Sequence, residues 1–171
     1  MTALRRLIVL RHAKSARPPD MADFDRPLTG RGRRDASAAG RWLRDARYTP
    51  DLVICSTAVR ARETWELAAE QLETQPPVQH EARVYDADLH TLLAVVRETP
   101  ASVDTLLVCG HNPGVQELVL SLAAEALGDA LKRTREKFPT SAIAVLTWHG
   151  DWSELAPGAA LLTDMAVPRG T

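Results

Sequence analysis

Four short runs of almost wholly apolar residues punctuate this chain: LIVL at 7–10, DLVIC at 51–55, TLLVC at 105–109 and AIAVLTW at 142–148. A strand with one wet face alternates apolar and polar residues. A run that does not alternate has to be covered on both faces. The covers are legible between the runs, where apolar residues recur at helical spacing: Ala36, Ala39 and Leu43; Ala61, Trp65, Ala68 and Leu72; Leu89, Leu92, Leu93 and Val96; Val115, Leu118, Val119 and Leu122. Thr29 is the expected N-cap of a helix running to about Asp45. A second helix is expected over about 58–72, stopped by Pro76-Pro77. Weaker strand signals lie at 78–84 and 160–166, and the polar, basic stretch 128–139 reads as a loop or a further short helix. Buried strands alternating with amphipathic helices predict an α/β fold, a single-domain three-layer α/β/α sandwich on a mainly parallel central sheet, over residues 1–171.

Charge and cysteine content narrow the class of function. The net charge is −1, yet residues 1–62 carry 14 Lys/Arg against 6 Asp/Glu, while the remainder carries 7 against 16. A mostly arginine-bearing N-terminal half favours an anionic ligand there, with a solvated helix face as the alternative for most of these side chains. A pI near 6.5 and the lack of an aromatic stacking signature argue against nucleic acid, despite the RGRR at 31–34. No apolar run approaches the roughly 18 residues of a membrane span, and MTALRRLIVL lacks the pattern of a cleaved leader, so a cytoplasmic protein is expected. Cys55 and Cys109 are too few for a disulfide scaffold and read as small buried core residues.

In open α/β sheets, ligands sit beyond the carboxyl ends of the strands. Arg11-His12 follows the first strand. Ser56-Thr57 follows the second, with Arg60 one helical turn on. Gly110-His111-Asn112-Pro113-Gly114 follows TLLVC. Two arginines and two histidines from three separate units are therefore expected on one rim, whereas His80, His90 and His149 read as structural. Guanidinium forks match phosphate oxygens and offset the charge of a transferring phosphoryl group. A neutral imidazole is a competent nucleophile at phosphorus, and flanking arginines disfavour its protonated form. The second histidine, if protonated, would donate to a phosphoryl oxygen, and helix N-termini would add backbone donors. No spacing of carboxylates, cysteines or histidines suggests a metal site, and no cofactor is required.

RHAKS at 11–15, RPLTGRGRRDA at 26–36, STAVRARET at 56–64 and GHNPG at 110–114 together resemble the histidine phosphatase (phosphoglycerate mutase-like) superfamily. They are most similar to its short bacterial branch, the phosphohistidine phosphatases of SixA type. The resemblance implies that His12 is a nucleophile forming a phosphohistidine intermediate. It further implies that Arg11 and Arg60 bind the phosphoryl group and that His111 completes the pocket. Asn112 would border it. Arg26 would either contact substrate or form a local ion pair, and Lys14 and Ser15 lie on the adjoining loop. The usual RHG is RHA here, with Ala13 in place of glycine.

Larger members carry an acidic general acid on an inserted lid. The chain between Leu72 and Asp104 leaves no room for one, and Asp86 and Asp88 in VYDADLH are the candidate general acids, or else helix-start carboxylates. An alkoxide leaving group needs a proton donor, whereas a phosphorylated imidazole can be protonated before cleavage and leave as a neutral ring. A lidless site without a clear acid suits phosphohistidine on a protein partner of the histidine-phosphotransfer type. The alternatives are a phosphomonoesterase of a small metabolite and a non-catalytic phosphate-binding adaptor.

Overall fold

The computed structural model describes residues 3–171. In chain order its elements are β1 (Leu4–Arg11), α1 (Gly30–Ala46), β2 (Leu52–Ser56), α2 (Val59–Ala69), β3 (Val78–Glu81), α3 (Leu89–Arg97), β4 (Thr105–Gly110), α4 (Gly114–Leu122), β5 (Ala123–Ala126), α5 (Ala130–Glu136), β6 (Ile143–His149) and β7 (Ala160–Ala166). The strands form one seven-stranded sheet in the order β3-β2-β4-β1-β6-β7-β5. Parallel pairing links β3, β2, β4 and β1, and again β5 and β7; β6 runs antiparallel to both of its neighbours.

Along the central strands successive side chains turn to opposite faces, and both sets are buried. On β1, Ile8 and Leu10 join Ala39 and Leu43 of α1 and Ala61, Trp65 and Ala68 of α2. Leu7 and Val9 face the other way, into the cluster built with Leu92 and Val96 of α3 and Val115, Leu118 and Leu122 of α4. Both faces of the central strands are thus covered, which is why their sequences do not alternate. Cys55 and Cys109, paired in register on β2 and β4, are free thiols fully inside the first of these layers.

Two segments depart from the expectations, and a third resolves an alternative. The strand at 78–84 pairs only as far as Glu81, and Ala82–Val84 form a 3₁₀ turn. The stretch 128–139, readable from sequence as a loop or a short helix, contains the short helix α5. Ala123–Ala126 is an edge strand continuing directly from α4. Its alanines favour helix, but pairing with β7 decides the outcome.

The contact of α1 with α2 is close because α1 presents small residues. An ideal Cβ at Gly40 would lie 2.1 Å from the carbonyl oxygen of Ala68. Gly40→Ala gains helix propensity, about 1 kcal/mol, but forces two backbones apart. A net loss of about 2 kcal/mol is expected, roughly 4–8 °C in Tm for a chain of this size. Thermal melting of the variant tests this, and an unchanged Tm would mean that the crossing can relax.

Candidate active site

Parallel register brings the strand ends together. Arg11 of β1 lies opposite Gly110 of β4, and Cys55 of β2 opposite Cys109. The His12 N–H donates to the Gly110 carbonyl at 3.0 Å, locking the first loop to the third. His12 and His111 therefore stand with ring centroids 5.1 Å apart, both rings largely buried. Arg60, from the first turn of α2, is buried beside them, its guanidinium carbon 5.9 Å from the ring centre of Tyr85, which meets His111 edge-on at 5.5 Å. Arg11 donates from a terminal nitrogen to the Phe138 carbonyl at 3.0 Å. The Asn112 amide shares that acceptor at 3.0 Å.

Hydrogen bonding fixes what the two imidazoles offer. Nδ1 of His12 lies 2.8 Å from the Ala13 carbonyl oxygen, which only accepts, so Nδ1 carries the proton and Nε2 keeps its lone pair. Nε2 of His111 lies 2.8 Å from the Ser56 hydroxyl. That hydroxyl already accepts from the Ala58 N–H, so its own hydrogen is available to the ring. Where that hydrogen is given to Nε2, the ring proton of a neutral His111 lies on Nδ1, a buried atom with no protein partner. The Nε atoms of Arg11 and Arg60 are likewise buried and unpartnered. His12 thus has, close enough to act on its charge, two arginines whose Nε–H groups the protein itself does not satisfy, a setting suited to an oxyanion. The helices behind the site, α2 and α4, begin without a side-chain cap, whereas α1 and α3 are capped by Thr29 and Asp88. Their N-termini add positive potential at the same rim.

Burial lowers the His12 pKa to about 3, with the charges of His111, Arg60 and Arg11 contributing in the same direction; the arginines reinforce desolvation rather than lead it. His111 is lowered to about 4, again by burial first and Arg60 next. A neutral imidazole can still donate through whichever ring nitrogen carries its hydrogen, so donation does not require protonation. Between about pH 6.5 and pH 4 the unfolded chain binds protons at both rings that the folded chain does not, so stability falls as pH falls through that window. His12→Asn removes one of these sites, so its Tm should decline less than that of the wild type between pH 7 and pH 5. Parallel slopes in a pH series of melting curves would contradict a neutral, buried His12.

The remaining sequence candidates separate. Arg26 forms the local ion pair, its Nε 3.0 Å from Asp23, and a terminal nitrogen donates to the Ser15 hydroxyl at 2.9 Å, so both residues clasp the 16–28 loop. Lys14 has an exposed side chain. Its carbonyl accepts from the Thr29 N–H and hydroxyl, and it abuts Gly32 so closely that a Cβ there would lie 2.0 Å from the oxygen. Asp88 caps α3 by accepting from the Thr91 N–H at 2.8 Å. Asp86 is exposed at a positive φ of 56°. Neither carboxylate bonds to Arg11, His12, Arg60 or His111, and Asp88 takes the helix-start role that was the alternative for both. Among the described residues no group of three or more His, Cys, Asp or Glu side chains is placed to hold a metal.

The carboxylate that does reach the site is Asp23. Its Oδ2 accepts from Arg60 at 3.0 Å and from the Tyr85 hydroxyl at 2.6 Å. Its Oδ1 accepts from Arg26. The Tyr85 bond, with help from Arg60 and Arg26, holds the carboxyl well below the usual range, so it is ionised at neutral pH. Only the DxxR spacing of Asp23 and Arg26 hinted at this residue in the sequence, and nothing there linked it to Arg60 or to Tyr85, 62 positions away.

Residues 7–92 match the family model described as histidine phosphatase superfamily (branch 1). An uncharacterized protein of Mycobacterium tuberculosis is 44% identical over 162 residues, covering 94% of this chain and 100% of the relative. Among solved structures, a protein assigned as phosphohistidine phosphatase SixA from Nakamurella multipartitia is 33% identical with a TM-score of 0.86, covering 98% of this chain and 99% of its own. The protein histidine phosphatase SixA in complex with tungstate is 26% identical with a TM-score of 0.77, covering 95% and 97% respectively.

Proposed function

This chain belongs to branch 1 of the histidine phosphatase superfamily, and from that premise we propose that it is a phosphatase acting through His12 on phosphohistidine carried by a protein partner. In the first step the Nε2 lone pair of His12 attacks phosphorus, a P–N bond forms to the enzyme, and the P–N bond to the substrate ring breaks. The released electron pair returns to the substrate nitrogen, and the ring, having taken a proton from solvent on its other nitrogen before cleavage, departs as neutral imidazole. Water then attacks the enzyme-bound phosphoryl group. The bond to His12 breaks, one water proton goes to solvent or to phosphate, and the neutral imidazole is restored. Arg11, Arg60 and the Nδ1–H of His111 bear on the equatorial oxygens in both steps. Asn112 borders the pocket and shares the Phe138 carbonyl with Arg11, which steadies that arginine.

The observation that carries the choice of substrate is the state of Asp23. It is the carboxylate bonded to the cluster, and three donors keep it ionised, so it has no proton to give a leaving alkoxide. A leaving group that needs no proton from the enzyme fits such a site. The tungstate bound by the SixA neighbour is a tetrahedral oxyanion, which supports a phosphate-shaped cavity in the shared fold. The test is turnover of a phosphorylated histidine-phosphotransfer domain beside a panel of sugar phosphates and nucleotides. A kcat/KM on the order of 10²-fold higher for the phosphoprotein is expected. Faster hydrolysis of any metabolite would overturn the reading in favour of a phosphomonoesterase.

A further inference from the structure

We infer that Asp23 is a positioning residue that acts through Arg60. It holds the end of the guanidinium so that the Nε–H side stays free for a phosphoryl oxygen. A guanidinium presents two edges that can bind in a bidentate way: the end, between its terminal nitrogens, and the side that includes Nε. Asp23 occupies the end. Its backbone carbonyl accepts from one terminal nitrogen of Arg60 at 2.7 Å and its carboxylate from the other at 3.0 Å. The Nε–H remains buried with no protein partner. An arginine in the first turn of a helix has a long, rotamer-rich side chain, and fixing one end selects a single orientation before substrate arrives.

Asp23 is itself fixed from two further directions. The Tyr85 hydroxyl donates to the same carboxylate oxygen at 2.6 Å, and Arg26 donates to the other at 3.0 Å while tying the loop back to Ser15. Phe24, the next residue, meets the Tyr85 ring edge-on at 5.2 Å, so the loop is braced by an aromatic contact as well as by charge. Asp23 also offsets part of the repulsion among Arg26, Arg60 and Arg11. The donors that meet Asp23 come from Arg26, Arg60 and Tyr85, three separate places in the chain, and all of them converge on a residue outside the reacting groups.

The inference rests on the phosphatase reading but not on the identity of the substrate, so the test uses p-nitrophenyl phosphate, together with tungstate binding measured directly. Asp23→Asn keeps the size of the side chain and removes its charge. Its kcat should fall about 10-fold to 10²-fold with KM changed less than about threefold. Tungstate affinity should fall by at least about tenfold. In an Arg60→Ala background the same substitution should cost nothing further, because the residue through which it acts is gone. Independent, additive losses in this cycle would overturn the inference, as would near wild-type kinetics of Asp23→Asn. Should Asp23→Asn fail to fold, Tyr85→Phe removes one donor to the same oxygen and leaves the charge. The cycle is then run with that variant, expecting a loss of about threefold to tenfold that vanishes without Arg60. A wild-type chain that binds tungstate but hydrolyses nothing would count against the phosphatase reading instead, and the tungstate arm would still decide the role of Asp23.

Discussion

Replacing His12 by alanine is expected to lower turnover by about 10⁴-fold or more, the largest effect of any single substitution in this chain. The size follows from what His12 alone supplies. Its Nδ1–H is committed to the Ala13 carbonyl, and burial keeps the ring neutral far below pH 7, so the Nε2 lone pair is available over the whole physiological range. His111 is a poor substitute, because its Nε2 is already engaged by the Ser56 hydroxyl at 2.8 Å. Without His12 the arginines would still gather a phosphoryl group, but only water could attack it. The variant should therefore keep tungstate binding within about tenfold while losing turnover. Acid-labile, base-stable phosphoryl label should appear on the wild type after a brief quench and be missing from the variant. Near-normal turnover by His12→Ala would remove the covalent mechanism altogether.

The parts of this fold written into local sequence are those where one residue's neighbours decide its state. The non-alternating runs of β1, β2 and β4 announce two-sided burial, and the positions just past them announce the rim. For that reason Arg11, His12, Arg60 and His111 could be named as a set before any geometry was known. What stayed hidden depends on long-range contact. Ala123–Ala126 is a strand only because β7 lies beside it. Asp86 and Asp88 drew attention as acids near the right place, yet the hydrogen bond to Thr91 commits Asp88 to α3. Asp23 lay in a loop between prolines and joins the site through Tyr85 and Arg60, contacts that no period or spacing encodes. Ser56 stands at a strand end in the sequence, but its hydrogen bond to Nε2 of His111, 55 positions away, is encoded by no spacing.

Arg60→Ala should lower kcat/KM by about 10²-fold to 10³-fold, equivalent to about 2.7–4 kcal/mol of lost transition-state stabilisation. On the proposed reading the guanidinium would meet the phosphoryl oxygens in surroundings dry enough to depress two histidines, where a charge-assisted hydrogen bond is worth far more than in water. The charge on those oxygens is spread differently in the transition state, so kcat should carry most of the loss. Arg60→Lys should recover little. A lysine ammonium is a single point donor and cannot engage both the carbonyl and carboxylate of Asp23 while also presenting a second edge to the substrate. Folding should survive either change, because Asp23 keeps Arg26 and Tyr85 as partners and its carboxylate is more than half exposed. Steady-state kinetics with Tm measured alongside separates the two effects. Full activity of Arg60→Lys would show that the site needs only a positive charge at this position, and the two-edged geometry argued from the structure would then be irrelevant to catalysis.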